Sequence, residues 1–256
     1  MRIGYRVLHQ GQISVRSIVD PGSLEWSQTN ERQFAKATID VPNAAVVNGI
    51  VSYAGIAQHH WWFSDPSTFQ NTRRAVYEAF DPRLEKLAEI LEKAQMRGQD
   101  ARQLELGVAW VMWMLGFAVT HLGGHPRMQD AADVIATSPS GNYAVVECTT
   151  GLLRADKKLS ILHDRVEAVR RSLAISNQAF LRVIPIIVTS KTRVEIKPDL
   201  EQAEKLGILV ITREDFTQLI DRTLALPNAD KLYAEAEDAI RAARQRHEAE
   251  PTLPLS

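Results

Sequence analysis

Apolar and polar positions follow two different periods along this chain. From residue 3 to residue 63 the apolar residues fall into short runs with strand character, among them 12–19, 34–41 and 49–53. Pro21-Gly22 and Pro42-Asn43 punctuate them as turns, which predicts a β-rich N-terminal region. The period then lengthens to that of helices. Ser67 is placed to cap a helix ending near Phe80, and Asp81-Pro82 supplies an N-cap with proline at the first helical position for a second helix reaching about Met96. Leu84, Leu87, Ala88, Leu91 and Ala94 line one stripe of that second helix, read here as a connector between domains. Gly98 marks its end, and Asp100 with Gln103 resembles a capping box for the next helix, 101–115, which is apolar almost all round and therefore expected to be buried.

Strand patterns return at 117–122 and in two β-branched runs that flank Ser138-Pro139-Ser140-Gly141-Asn142, a cluster of turn formers that predicts a hairpin. A helix from Asp156 carries the core stripe Leu159, Leu162, Val166, Val169 and Leu173. The unbroken apolar run 181–189 suits a strand buried on both faces, with Pro185 at a bulge or beside an edge. A short helix over 199–206, a strand over 208–211, a helix capped by Thr212 and Asp215, a mostly polar helix over 229–249 and a loose tail complete the pattern.

The hairpin carries the candidate chemistry. If its loop is centred on Ser140, Asp133 stands opposite Glu147. Directly opposed side chains on a sheet have Cβ atoms about 4.5–5.5 Å apart, and like charges so placed are destabilising. Convergent carboxylates at that distance suit a hard divalent cation held through oxygen, Mg2+ above all; the alternative is an exposed hairpin face with two unrelated acids. Strand alternation puts Glu147 and Thr149 on one face and turns Cys148 to the other, which argues against Cys148 as a nucleophile. Glu105 is the one acid in the apolar helix, so it is paired, bound to a metal, or at the helix's wet N-terminal end. Lys158 lies at the edge of the next helix's buried stripe, whereas Lys157 falls on a more solvated row. Residues 152–175 hold six Lys or Arg against three acids, a solvated face or a phosphate contact. His121 and His125 are separated by Gly-Gly, which excludes a helical zinc pair, and Asp130 is a weaker alternative to Asp133.

At these residues the chain resembles the PD-(D/E)XK nuclease superfamily, whose core pattern is an acid on a helix, an Asp opening one hairpin strand, and Glu-X-Lys on the next. Asp133 and Glu147 match the strand acids; Thr149 stands at the lysine position, a departure. Branches that move the lysine to the following helix resemble Glu147-Cys148-Thr149 followed by Lys158-Leu159 through Leu162 to Arg165. The resemblance implies an α/β (α+β) fold, a restriction-endonuclease-like αβββαβ core with a mixed central sheet, here beside a smaller β-rich N-terminal domain. The expected organisation is 1–80, the β-rich region; 81–99, a connecting helix; 100–225, the nuclease-like domain; and 226–256, a C-terminal helix and tail. It further implies Asp133, Glu147 and Glu105 as metal ligands for Mg2+, with Mn2+ able to substitute, and Lys158 as the catalytic cation. Arg154, Lys157 and Arg165 are the expected nucleic-acid contacts. The expected activity is hydrolysis of phosphodiester bonds in DNA by a restriction or defence-type endonuclease. The rival, for which Thr149 argues, is an inactive module of the same fold that binds nucleic acid or a protein partner.

Composition narrows the setting without naming the substrate. With 256 residues, 45% of them apolar and 24% charged, the chain is of ordinary globular type. The net charge of −1 means that any nucleic-acid contact rests on a local patch. One cysteine excludes an internal disulfide and a multi-cysteine zinc site, which suits a reducing cytoplasm. No apolar run is long enough for a membrane span, no secretory signal peptide is visible, and no Gly-rich phosphate loop points to an NTPase. The chain opens inside strand-like sequence, as a segment of a longer protein would, and a homodimer is left open. His59-His60-Trp61-Trp62-Phe63 reads either as the packing of a small β core or as a base-stacking platform.

Overall fold

The computed structural model describes residues 1–29, 32–64, 70–93, 99–123, 130–153 and 157–248. The chain divides into two compact units, Met1–Gln70 and Asn71–Ser256. The first is built on a four-stranded antiparallel sheet of β1 (Arg2–His9), β2 (Gln12–Val19), β5 (Val46–Tyr53) and β6 (Ile56–Ser64) in the order β2-β1-β5-β6, with a separate ribbon of β3 (Glu25–Thr29) and β4 (Arg32–Lys36). The 59–63 cluster lies on β6 and alternates. His59 and Trp61 stack with ring centroids 6.0 Å apart on one face, and Phe63 lies there over Gly49. Trp62 and Phe63 are 52% and 56% exposed, so this is not a packed core.

The second unit carries the expected fold class. Its five-stranded sheet runs β11-β10-β9-β8-β7, formed by β7 (Ala118–His121), β8 (Val134–Thr137), β9 (Tyr143–Thr149), β10 (Val183–Thr189) and β11 (Leu209–Ile211). Strands β7, β8 and β9 pair antiparallel and β9, β10 and β11 parallel, so the sheet is mixed. Helices α3 (Gln99–Met114) and α4 (Lys158–Ile175) precede and follow the antiparallel strands, which gives the order αβββαβ through β10. Alternation along β9 builds two cores. Ala144, Val146 and Cys148 pack with Leu104 and Val108 of α3 on one face, whereas Val145 meets Leu159, Leu162 and Val166 of α4 on the other. Helices α5 (Lys197–Lys205), α6 (Arg213–Arg222) and α7 (Ala229–Glu248) complete the layers, and Tyr233 of α7 is fully buried, with Leu232, Ala236 and Ile240 packed on the same core. Strand β11 begins opposite Ile186, one residue past Pro185, so on that side the proline lies at an edge, where a missing donor is tolerated.

Capping shows where local chemistry set the boundaries. Thr212 and Asp215 form the expected capping box of α6. Asp81 does cap, but one turn later than its proline suggests: Pro82–Leu84 form a short 3-10 turn, and the Asp81 carboxylate accepts from the N–H groups of Lys86 and Leu87, both at 2.9 Å, at the head of α2 (Glu85–Lys93). Leu84 of the 3-10 turn and Leu87 and Leu91 of α2 are buried within the second unit, in the core shared with α3 and Phe216 of α6. Ser67 and Gly98 lie outside the described residues. Helix α1 (Thr72–Glu78) is capped instead by Asn71, which accepts from the N–H groups of Arg73 and Arg74. The same buried side chain donates to Met114 O at 2.9 Å and Thr223 O at 2.8 Å, at the C-terminal ends of α3 and α6. One amide thus satisfies orphan groups of three helices.

Asn71→Ala removes the cap and leaves two buried carbonyls without donors. A lost cap costs about 0.5–2 kcal/mol and an orphaned buried polar group about 1–3 kcal/mol. The expected loss is at least about 2 kcal/mol, visible as a fall of about 4–8 °C in the thermal midpoint of a domain this size.

Candidate active site

The hairpin register follows from the turn. Val134 pairs with Val146 and Thr137 with Tyr143, with Gly141 in the left-handed region at φ 82° inside the loop. Extending that ladder by one position sets Asp133 across from Glu147. Asp133 Oδ2 accepts from the Cys148 N–H at 2.7 Å, so the acid closes the end of the ladder in place of a backbone carbonyl. Cys148 itself packs into the α3-side core, where burial pushes its thiol well above the ordinary 9.0.

Glu147 is completely buried on the α4 side. Bringing an isolated carboxylate there is prohibitive without partners. Helix α4 supplies two: Arg165 Nη1 is bonded to Glu147 Oε1, and Lys158 Nζ stands 3.6 Å from Oε2. Oε2 has no hydrogen bond among the described residues. Burial first, and the charge of Asp133 second, push the Glu147 carboxyl above its ordinary 4.5, and Arg165 and Lys158 pull it part of the way back. Lys157, the residue before α4, has a left-handed backbone (φ 55°) and an exposed side chain. Thr149 does not stand in for a lysine, because its hydroxyl accepts from the Gly151 N–H at 3.1 Å within the turn that ends β9.

Glu105 arrives from the other face of the sheet, on α3. Its carboxylate fills the space that Gly123 leaves by having no side chain: a Cβ there would collide with Glu105 and stand 3.2 Å from Asp133 Cα. It is neither wet nor unpaired, being 9% exposed and hydrogen-bonded to His121 Nε2 at 3.2 Å. Burial and then Asp133 raise its carboxyl above 4.5, against the opposing pull of His121 and Lys158. Arg165, an expected nucleic-acid contact, is bonded to Glu147 and ties α4 to the Asp130 carbonyl at 3.0 Å. Neither this pairing nor that of His121 with Glu105 was legible in the sequence. Arg165 sits at helical spacing from Lys158, a pattern shared by any solvated row. Arg154 and His125 lie outside the described residues.

These groups meet the demands of a hard cation in part. The donors are carboxylate oxygens, and one of them is buried with no hydrogen bond among the described residues. Among the described residues, however, no three His, Cys, Asp or Glu side chains form a ready-made metal cluster. Two carboxylates suit Mg2+, which keeps several waters and is held by one or two carboxylates together with substrate phosphate.

The raised carboxyls carry a stability signature. A folded-state pKa above the unfolded value gives stability that is fully present below pH 4.5 and is lost as pH rises through the raised value. In EDTA, Glu105→Gln should therefore gain thermal stability relative to the unmodified protein as pH is raised from 4.5 to neutrality. A gap that does not change with pH would show that Glu105 is not held above its ordinary range.

No family model matches the chain, and no curated protein does either. Among solved structures, an EndoMS–double-stranded DNA complex is similar over 82% of this chain and 83% of that chain, at 13% identity and a TM-score of 0.26. No helix among the described residues is long and apolar enough to cross a membrane.

Proposed function

We propose that this chain is a divalent-metal-dependent nuclease that hydrolyses phosphodiester bonds in DNA, as a restriction or defence-type endonuclease would. The observation that carries the reading is Glu147: a wholly buried carboxylate, across a ladder from Asp133, with one oxygen that has no hydrogen bond among the described residues and the Lys158 ammonium 3.6 Å from it. A purely structural ion pair does not need the second acid, whose charge works against it. Asp133 and Glu147 would hold Mg2+, or Mn2+ in its place, with Glu105 contributing through a water. When bound, the ion lowers the pKa of a coordinated water and takes up charge developing on the phosphate.

The chain's own residues prepare this chemistry in three ways. The bond from Cys148 N–H fixes the Asp133 carboxylate at the end of the ladder. Lys158, 27% exposed on its side chain, reaches from the rim of the buried stripe toward Glu147 and is the group placed to donate to a phosphate oxygen or to the incoming water. Arg165 compensates Glu147 alongside Lys158 when no metal ion is bound, and Thr149 takes no part.

A second reading has its own observation. The Arg165 guanidinium already engages one oxygen of Glu147, and Thr149 supplies no cation, as suits a module that has kept the fold and lost the reaction. Incubation of plasmid and of single-stranded DNA with Mg2+ or Mn2+ separates the two. Under the nuclease reading, Asp133→Asn and Glu147→Gln abolish cleavage, Lys158→Ala lowers the rate by about 10²–10³, and Lys157→Ala cuts nearly normally. No cleavage by the unmodified chain with either metal, or equal rates for the two lysine variants, would favour the binding module.

A further inference from the structure

The sheet of the N-terminal unit has a charge pattern that the nuclease reading leaves unused. Its four strands contain three arginines and no acidic residue. Register places Arg16 of β2 directly opposite Arg6 of β1, then Asn48 of β5, then Trp62 of β6, in one row across one face. Two guanidiniums facing each other on adjacent strands repel and cost stability. Both side chains are exposed, and among the described residues neither makes an ion pair. The next row of the same face carries His60 on β6, two residues from Trp62, and Gly4 on β1, where the absent side chain leaves a shallow trough. Neighbouring strands lie about 4.8 Å apart, so the row from Arg16 to Trp62 is roughly 14 Å long.

We infer that this face binds single-stranded nucleic acid, with Arg6 and Arg16 on the phosphates and Trp62, flanked by His60, stacked against a base. The arginine pair asks for an anion, because no acid of the sheet offsets it. The half-exposed indole asks for a flat apolar partner. An unpaired strand combines both, whereas a duplex hides its base faces in its own stack. The inference is independent of the catalytic reading, since it involves none of the residues of the second unit.

The test uses the full chain in EDTA, where metal-dependent cleavage is off, and fluorescence anisotropy of a labelled oligothymidylate over a range of salt concentrations. The unmodified protein should bind with a salt dependence. Arg6→Gln/Arg16→Gln should bind more weakly and lower the slope of log K against log salt by about 1.4, two phosphate contacts' worth for a single strand. Trp62→Ala should weaken binding about 5- to 100-fold. Relief of repulsion should leave the melting temperature of the double variant unchanged or higher, which a merely structural role would not. Three results would each overturn the inference: no binding by the unmodified chain, unchanged affinity in both variants, or a Trp62→Ala loss equally large for a duplex of the same length.

Discussion

The second unit is organised around the burial of one carboxylate. Glu147 lies at the carboxyl end of β9 with no exposure to solvent, and nothing on its own strand compensates it. The compensation comes from α4, so the helix must dock at one rotation and one height: Leu159, Leu162 and Val166 go into the sheet while Lys158 and Arg165 meet the acid. Buried pairs of this kind add little net stability, yet removing one partner is costly, on the order of 3–5 kcal/mol. The pair therefore acts less as an adhesive than as a constraint on where α4 can sit.

That constraint reaches both faces of the sheet through Asp133. Second only to burial, its charge raises the carboxyls of Glu147, on β9, and of Glu105, which α3 brings from the other side. The antiparallel hairpin is what allows this. It ends where two faces can both approach, with Gly123 leaving space on the α3 side. Asp133 at this strand end thus feels both the α4 side and the α3 side of the sheet.

Much of this was legible in the sequence wherever the deciding interaction is local. The Ser138–Asn142 turn fixes the register that opposes Asp133 and Glu147, and Thr212 with Asp215 marks the start of α6 three residues apart. Period-2 alternation correctly sends Cys148 into the core away from Glu147. What failed to show was long-range. Asn71 joins the ends of α3 and α6 across 43 and 152 residues, and no window of sequence contains those partners. The Arg165–Glu147 pair is likewise hidden, because a cation on a helix row has the same pattern whether it faces solvent or a buried acid 18 residues earlier. Asp81 kept its capping role but shifted it by a turn, because the left-handed Arg83 inserts a 3-10 segment that proline alone does not announce.

The bond between Asp133 and the backbone of residue 148 separates two roles at that position. The site uses only the amide, which every residue but proline provides, while the thiol serves the core on the far face. Since Cys148 is the sole cysteine of the chain, replacing it with a small apolar residue such as alanine yields a thiol-free background that leaves the acids in place. Single cysteines introduced elsewhere would then carry spectroscopic labels without competition, and distances between the two units could be measured in solution.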